Sequence, residues 1–264
     1  MKLKEKLEQW NVKSSNEIGF HEVISPNKKE CKVSYIYRLN LNEGDEYTLE
    51  SKELEMNLVL IQGQALIKIN NENKDMTRYD SLYIPGKSKL IIKAIKPAIF
   101  YIGAAICEGI GKVFFRKFDK TLPLGEIHQI HGNGSGEREV FFTLNPEVPA
   151  SRLICGLTWG GDGTWTSWPP HQHEKDLEEV YCYFDMDFPR IGFHLSYIKE
   201  GEIEAGVLHP VTSGSMIMAP SGYHPTVATP GTRNSYFWVL VAFTPETRSY
   251  DRAILDKNYV GGAK

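Results

Sequence analysis

The stretch SWPPHQHEKDLEEVYCYF, residues 167–184, is the most informative part of this chain for both fold and function. It ends in a run of aromatic and β-branched residues, which favours a β-strand. His171 and His173 are two residues apart, so on extended backbone both imidazoles point to the same side. Pro169 and Pro170 precede them and keep the backbone extended. The segment therefore predicts a strand that presents two histidines on one face.

A carboxylate and a third imidazole accompany this pair. Two adjacent acids, Glu178 and Glu179, begin the strand-like run, and GSMIMAPSGYHP (residues 214–225) places His224 just after a Pro-Ser-Gly turn. Three imidazoles and one carboxylate that converge inside a barrel would hold one divalent ion and leave positions open for water or substrate. The sequence therefore predicts a metal site formed by one of the two glutamates and three histidines: His171, His173 and His224.

Short strand-like runs recur along the chain outside this segment. They are about ten residues apart and are bounded by Gly, Asn and Pro, as in KVSYIYRLNL (32–41), MNLVLIQG (56–63) and SLYIPG (81–86). This spacing predicts antiparallel sandwiches or barrels. Only the first dozen residues have a helical pattern, with Leu3, Leu7 and Trp10 on one face, and we expect them to form a packing arm.

A weak internal repeat divides the chain. LVLIQG (58–63) followed by SLYIPG (81–86) corresponds to EVYCYF (179–184) followed by SMIMAPSG (215–222). The repeat predicts two related β-barrels, residues 1–125 and 126–264. The glycine-rich HGNGSGE (131–137) near the boundary lacks the Lys-Ser/Thr of a phosphate-binding loop, so we interpret it as a mobile connection.

The first barrel is predicted to lack a metal site. Alignment of Glu55 with Glu179 puts Tyr47 and Leu49 where the two histidines stand, and alignment of Pro85 with Pro220 puts Lys89 where His224 stands. A leucine and a cation cannot complete a metal site, so this barrel is expected to serve folding or dimer formation. His21, His128, His131 and His209 have no such context and are not expected to be ligands.

Composition narrows the classes of function. The 264 residues carry 30 Lys and Arg against 33 Asp and Glu, a net charge of −3, so no excess of positive charge is available for nucleic acid. No apolar run approaches the roughly 20 residues that span a bilayer, and the N-terminus lacks the apolar core of a secretory signal. The four cysteines form no CxxC pair and are expected to be buried thiols. These features predict a cytoplasmic protein that acts on neither nucleic acid nor membrane.

The two histidine-containing segments resemble the two signature motifs of the cupin superfamily. More narrowly, the chain resembles the 5-deoxy-glucuronate isomerases over nearly its whole length, as in YRLNLNEGDEYTLE (37–50), GTWTSWPPHQH (163–173) and PSGYHPTVATPG (220–231). YCYFDMDF (181–188) and GFHLSY (192–197) are closer to the related 4-deoxy-L-threo-5-hexosulose-uronate ketol-isomerases. The resemblance implies an all-β bicupin: two tandem double-stranded β-helix (jelly-roll) barrels.

The resemblance also bears on the carboxylate ligand. Cupins generally use the Glu before a hydrophobic–aromatic pair, here Val180–Tyr181, so Glu179 is the expected ligand and Glu178 the alternative. The segment after the second His is shorter than is usual in the family, which leaves this choice open. On a regular strand Tyr181 and Tyr183 share the face of Glu179, and we expect them to line the substrate cavity.

The reaction that the resemblance implies is the conversion of 5-deoxy-glucuronate to 5-dehydro-2-deoxy-gluconate in inositol catabolism. Such an isomerisation passes through an enediolate, whose two oxygens one divalent ion can chelate, and zinc or manganese is the metal implied. The base remains open between Glu178, Tyr223 and His194. Arg152 is the expected partner of the substrate carboxylate and Arg233 the second candidate. The family also implies a homo-oligomer.

Other functions remain open at this stage. The chain could isomerise a related uronate or another anionic sugar. The same ligand set also supports other chemistry, including that of a cupin dioxygenase. A non-catalytic sugar-binding or metal-storing cupin is the third class, although the intact ligand set of the second half argues against it.

Overall fold

Antiparallel strands form two barrels in the computed structural model, which describes residues 3–259. The chain begins with helix α1 (Leu3–Glu8) and the short strand β1 (Asn11–Lys13). The first barrel is built from one eight-stranded sheet of order β2-β3-β8-β5-β7-β9, in which β4 also pairs with β8 and β6 with β5. Its strands are β2 (Gly19–Ile24), β3 (Tyr35–Leu41), β4 (Glu46–Glu50), β5 (Leu54–Ile69), β6 (Glu72–Met76), β7 (Ser81–Ile84), β8 (Lys89–Ile106) and β9 (Phe114–Arg116).

The second barrel begins after a connection of eleven residues, 117–127. Its strands are β10 (His128–His131), β11 (Arg138–Leu144), β12 (Leu153–Asp162), β13 (Trp165–Thr166), β14 (His171–Gln172), β15 (Leu177–Tyr183), β16 (Gly192–Ser196), β17 (Val207–Val211), β18 (Ser215–Ala219), β19 (Thr226–Ala228), β20 (Arg233–Ala242) and β21 (Ile254–Leu255). They form a seven-stranded sheet (β1-β18-β15-β20-β12-β11-β10), a four-stranded sheet (β13-β19-β16-β17) and the pair β14-β21. Single 3₁₀ turns cover Gly134–Gly136, Ile203–Ala205 and Pro245–Thr247.

The N-terminal arm packs on the second barrel. Helix α1 ends at Glu8, and β1 then pairs antiparallel with β18, so residues 11–13 belong to the second sheet although they precede the first barrel. Leu7 and Trp10 are fully buried, as the helical pattern predicts, whereas Leu3 is 45% exposed and does not share the buried face. The expected packing arm is therefore also a strand that joins the two halves of the chain.

The two barrel interiors differ in chemistry. Leucine and isoleucine side chains such as Leu39, Leu58 and Ile67 fill the first interior. The second interior contains tyrosines and tryptophan, including Tyr183 and Trp238. A third apolar cluster packs the barrels against each other, and the absence of a side chain at Gly103 allows this approach, since a Cβ there would lie 2.7 Å from Val239.

The strand register corrects the expected alignment of the two barrels. Glu179 lies opposite Ala219, directly before Pro220, whereas Met56 lies opposite Ile84, directly before Pro85. Met56 is therefore the counterpart of Glu179 in the first barrel. The counterpart of Glu55 is Glu178, one residue away from the alignment that the sequence suggested.

Two further expectations concern the cysteines and membrane-spanning segments. Cys31, Cys155 and Cys182 are buried free thiols, and Cys107 is partly exposed. None of the helices within residues 3–259 has the length and apolar character needed to cross a membrane.

Candidate metal centre

Four side chains of the second barrel converge at one point. The ligand atoms of His171, His173, Glu179 and His224 all lie within 4.8 Å of one another. A carboxylate oxygen of Glu179, Oε2, is 3.4 Å from Nε2 of His173 and 3.1 Å from Nε2 of His224. This is the grouping that the sequence motifs predict.

Local structure places each imidazole. Strand β14 carries His171, whose Nδ1–H donates to the carbonyl of Pro169 at 3.0 Å. After β18 the chain turns at Gly222, where φ is +71° and a Cβ would overlap the carbonyl oxygen of Tyr197, so only glycine fits. This turn directs His224 back towards β15, and its Nδ1–H donates to the carbonyl of Gly222 at 3.1 Å. Both histidines thus leave Nε2 as a free lone pair.

The donor set fits one divalent cation. Metal bonds of roughly 2.0–2.2 Å allow at most about 4.4 Å between two ligand atoms, so the four groups need to approach by only a few tenths of an ångström. Nδ1 of His173 and Nε2 of His224 are buried and have no hydrogen-bond partner within residues 3–259. Buried polar atoms normally have a hydrogen-bond partner. A bound ion would take that place at Nε2 of His224.

The charge states of the site suit metal binding. Burial lowers the pKa of His171 well below its usual value, and the neighbouring His224 and His173 lower it further. Burial would raise the pKa of Glu179, but the adjacent imidazoles of His173 and His224 outweigh it and hold that pKa below its ordinary range. His171 is therefore neutral and Glu179 is a carboxylate near neutral pH, which are the forms that coordinate metals.

A cavity of about 380 Å³ opens beside this cluster. His171, His173 and Glu179 form part of its wall, and aromatic side chains including Tyr236 and Trp238 form much of the rest. The volume lies within the range of small-molecule sites, about 300–1,000 Å³. The cluster is therefore open to a ligand on one side and enclosed by the barrel on the other.

The two tyrosines that share the face of Glu179 have different environments. Tyr181 lines the cavity, and its hydroxyl lies 3.1 Å from Oγ of Ser167. Tyr183 lies deeper in the barrel, where its hydroxyl is hydrogen-bonded to Nδ1 of His194 and to Thr226, both at 2.8 Å. Of the pair, Tyr181 alone is placed to touch a ligand in this cavity.

Glu178 points away from the cluster, contrary to its expected role as alternative ligand or base. Successive side chains of a strand face opposite sides, so Glu178 is directed towards the first barrel. There it accepts backbone N–H bonds from Lys32, Val33 and Ser34 at 2.7–2.8 Å. Its carboxylate is fully buried in this contact and cannot reach a substrate in the cavity.

The other two base candidates also lie off the cavity wall. His194 is fully buried behind Tyr181, with 5.0 Å between the ring centres. Tyr223 precedes His224 but faces the opposite side of the turn, where its ring stacks on Tyr197 at 5.0 Å. These placements argue against direct proton transfer by either residue.

The expected substrate-binding arginines are likewise elsewhere. Arg152 pairs with Glu108 and donates to the carbonyl of Phe243 at 2.8 Å. Arg233 is largely exposed and donates from Nε to the carbonyl of Gly160 at 2.9 Å. Neither guanidinium reaches the cavity, whereas Arg138, which the sequence reasoning did not select, lies in its wall. The alternation of REVFFTL, which puts Arg138 on the face of the inward residues of β11, was the signal available for finding it.

The C-terminal strap, residues 250–256, forms another part of the wall that sequence reasoning missed. Tyr250, Asp251, Ala253 and Leu255 line the cavity. Strand β21 of the strap pairs with β14, so that Leu255 lies opposite His171. No local motif indicates this contact, because the two strands are about 80 residues apart in the sequence.

Comparison with known proteins assigns the family. Residues 8–256 match the model of the KduI/IolB family. The 5-deoxy-glucuronate isomerase of Geobacillus kaustophilus is 28% identical over 218 residues, covering 76% of each chain. The 4-deoxy-L-threo-5-hexosulose-uronate ketol-isomerase of Pectobacterium carotovorum is 31% identical over 160 residues, covering 58% of this chain and 55% of the relative.

Solved structures agree on the fold. An IolB-like protein from Salmonella typhimurium LT2 superposes with a TM-score of 0.82 at 21% identity, covering 95% of this chain and 97% of that one. Oxalate decarboxylase from Bacillus subtilis, whose Mn(II) centres have been studied, superposes with a TM-score of 0.61 at 12% identity, covering 92% and 77%. The predicted cupin fold is confirmed. With residues 8–256 matched, the chain belongs to the KduI/IolB family and, like its named relatives, is an isomerase.

Proposed function

We propose that this isomerase interconverts the aldose and ketose forms of a sugar acid, with 5-deoxy-glucuronate as substrate and 5-dehydro-2-deoxy-gluconate as product, in inositol catabolism. The observation that carries the proposal is the buried three-histidine, one-glutamate cluster at the wall of a cavity of sugar-acid size. The naming of the Geobacillus relative supports the choice of substrate.

One divalent ion, zinc or manganese, is the proposed cofactor. His171, His173, Glu179 and His224 would hold it. When bound, such an ion supplies a positive charge that stabilises negative charge developing on substrate oxygens. The Mn(II) centres of the oxalate decarboxylase neighbour support manganese, and the His₃Glu donor set suits either metal.

The cavity residues would orient the substrate and move the proton. Burial raises the pKa of Tyr181 well above its usual value, so its phenol remains protonated and can donate a hydrogen bond to a substrate oxygen. His131 is a candidate proton acceptor because burial and Arg138 lower its pKa, which keeps the ring neutral. Its Nε2–H donates to Gln129 at 2.6 Å, so Nδ1 carries the free lone pair. Among the described wall residues, Asp251 is the other carboxylate besides Glu179, and it is the alternative acceptor.

A second sugar acid is the alternative substrate. The resemblance of residues 181–188 to the ketol-isomerases and the Pectobacterium relative favour a 5-keto-4-deoxyuronate-type substrate as the alternative. Both substrates are open-chain sugar acids, and both reactions are redox-neutral, so neither nicotinamide nor dioxygen is required. We further propose that the chain acts in the cytoplasm as a homo-oligomer.

The test is an NMR assay of the purified, metal-analysed protein with both sugar acids, under anaerobic conditions and without added cofactor. We expect conversion of 5-deoxy-glucuronate and loss of conversion in Glu179→Gln. The same reaction in D2O should place deuterium on the carbon that accepts the migrating hydrogen, since a base exchanges its proton with solvent. No deuterium would favour a hydride shift, and strict dependence on oxygen or NAD would refute the isomerisation.

A further inference from the structure

One permanently charged cationic side chain lies in the cavity wall as described. It precedes the four candidate metal ligands in the sequence. Of the residues lining the cavity within the described chain, Arg138 is the single Arg or Lys. Arg138 begins β11, where it lies opposite Gly160 of β12 and His131 of β10. Arg138 itself lines the cavity, next to His131, which lines it as well.

Arg138 is held by backbone groups and has no counterion there. Its Nη1 donates to the carbonyl of Trp168 at 3.0 Å and to that of Gly136 at 3.3 Å. Within residues 3–259 no carboxylate oxygen lies within 4.0 Å of its nitrogens. A partly buried guanidinium normally pairs with an acid, because its desolvation is otherwise uncompensated. The unpaired donors of Arg138 therefore suit an anion that comes with the ligand.

The glycine-rich segment that sequence reasoning left without a role positions this guanidinium. Gly132 has a φ of +73°, and a Cβ on it would overlap the carbonyl oxygen of Gly136 and lie 3.1 Å from Nη1 of Arg138. The segment 131–137 thus folds back tightly enough for Gly136 to accept a bond from Arg138. Glycine is required here both for the backbone conformation and for the close approach.

The positive charge of Arg138 affects the pKa values of tyrosines in the cavity wall. Burial raises the pKa of Tyr236 to about 12, and the positive charge of Arg138 is among the influences that oppose this rise. It acts in the same direction on Tyr250 of the C-terminal strap. Asp251 of the strap also lines the cavity, and within residues 3–259 it makes no ion pair with Arg138.

We propose that Arg138, positioned by the glycine segment 131–137 and by Trp168, binds the carboxylate of the substrate and makes the enzyme select sugar acids over neutral sugars. This inference rests on the proposed sugar-acid substrate and replaces the expected role of Arg152. A guanidinium binds a carboxylate by charge-assisted, often bidentate hydrogen bonds, which a hydroxymethyl group cannot reproduce.

Binding of two probes tests the inference without turnover. D-Glucuronate and D-glucose differ at one carbon, carboxylate against hydroxymethyl, and Trp168 and Trp238 in the cavity wall provide a fluorescence signal. We expect the wild-type protein to bind glucuronate more tightly than glucose by about 10- to 100-fold, the effect of one charge-assisted contact. Arg138→Gln should lose that preference without weakening glucose binding, and Arg138→Lys should retain part of it. Arg233→Gln, which removes a cation outside the cavity, is the matched control and should keep the full preference.

A second variant distinguishes loss of the carboxylate contact from a folding defect. Gly132→Ala leaves Arg138 in place but displaces its guanidinium, and it should reduce the preference in a protein whose thermal unfolding remains cooperative. Unchanged glucuronate affinity in Arg138→Gln, an equal loss for both probes, or no saturable binding of glucuronate by the wild type would overturn the inference. If the wild type selects glucuronate through Arg138 but isomerises no sugar acid, the proposed reaction fails and the carboxylate site stands. If the wild type isomerises sugar acids and Arg138→Gln keeps the same kcat/KM, the proposed reaction stands and the role of Arg138 is refuted.

Discussion

Glu55 and Glu178 occupy equivalent positions in the two barrels, and each accepts backbone N–H bonds from the opposite half of the chain. Glu55 accepts from Ser151, Arg152 and Leu153 at 2.6–2.9 Å, and Glu178 accepts from the segment 32–34 at 2.7–2.8 Å. Both carboxylates are fully buried. The pair thus forms a reciprocal connection between the barrels, and the adjacent position is free to differ: Glu179 at the metal cluster, Met56 in an apolar core.

Replacement of Glu178 should destabilise the fold. In Glu178→Gln the amide has one acceptor oxygen for three backbone N–H groups, and we expect the free energy of unfolding to fall by about 2–4 kcal/mol. Urea unfolding measures this change. Glu50→Gln, which removes an exposed partner of Lys89, should leave stability almost unchanged, because ion pairs in water contribute little. Equal effects of the two substitutions would contradict the reciprocal connection.

Metal content should distinguish the adjacent glutamates. We expect about one equivalent of divalent metal per chain, lost in Glu179→Gln and retained in Glu178→Gln, because only the former side chain reaches the histidines. Elemental analysis of protein purified without added metal gives the answer. Metal loss in the Glu178 variant alone would reverse the assignment. Anomalous scattering should show the ion at this cluster, and an ion beside Glu55 would contradict a metal-free first barrel.

The anchor of the C-terminal strap should affect the metal histidines at a distance. Asp256 is fully buried, accepts from the hydroxyl of Tyr197 at 2.8 Å, and donates its own N–H to the carbonyl of Pro170 at 2.9 Å. Asp256→Asn should speed amide hydrogen exchange in residues 171–172 and 250–256 and weaken metal binding by about 10-fold, the effect typical of an outer partner.

The control for the strap is Asp187→Asn, because Asp187 is exposed and lies outside the cavity wall. It should leave both exchange and metal affinity unchanged. Faster exchange in the strap with no change at residues 171–172 would show that the strap does not hold the histidine strand.

Stability should fall with acid through His209. Burial lowers the pKa of His209 to about 4, so between the usual value of 6.5 and that value the unfolded chain binds a proton that the folded chain does not. Stability is therefore lost as pH falls from 6.5 towards 4. In His209→Asn the loss between pH 7 and pH 5 should be smaller than in the wild type by about 1–2 kcal/mol.

Chemical unfolding at the two pH values measures this difference, with His21→Asn, at a half-buried position of the first barrel, as the control. An identical pH dependence in wild type and His209→Asn would refute the contribution of His209.

Local patterns were sufficient for the β-barrel class and for the three candidate metal-binding histidines. Strand propensity, turn residues and ten-residue spacing are properties of short segments, and they predict a β-barrel protein whatever its partners are. His171 and His173 share a face because successive side chains of a strand alternate, and the Pro-Ser-Gly turn before His224 forms from its own residues. The four expected ligands therefore come together in the structure.

Tertiary structure alone decided which face of each strand meets the cavity and what else surrounds it. Alternation puts Glu178 and Glu179 on opposite faces, but which one faces inward depends on the packing of β15 between β18 and β20. For Arg138 the alternation of β11 gives the face, but that this face meets the cavity depends on the packing of β11 between β10 and β12. The C-terminal strap reaches His171 through strand pairing across about 80 residues. Such contacts are fixed by burial and hydrogen bonding between distant segments, and no short stretch of sequence contains that information.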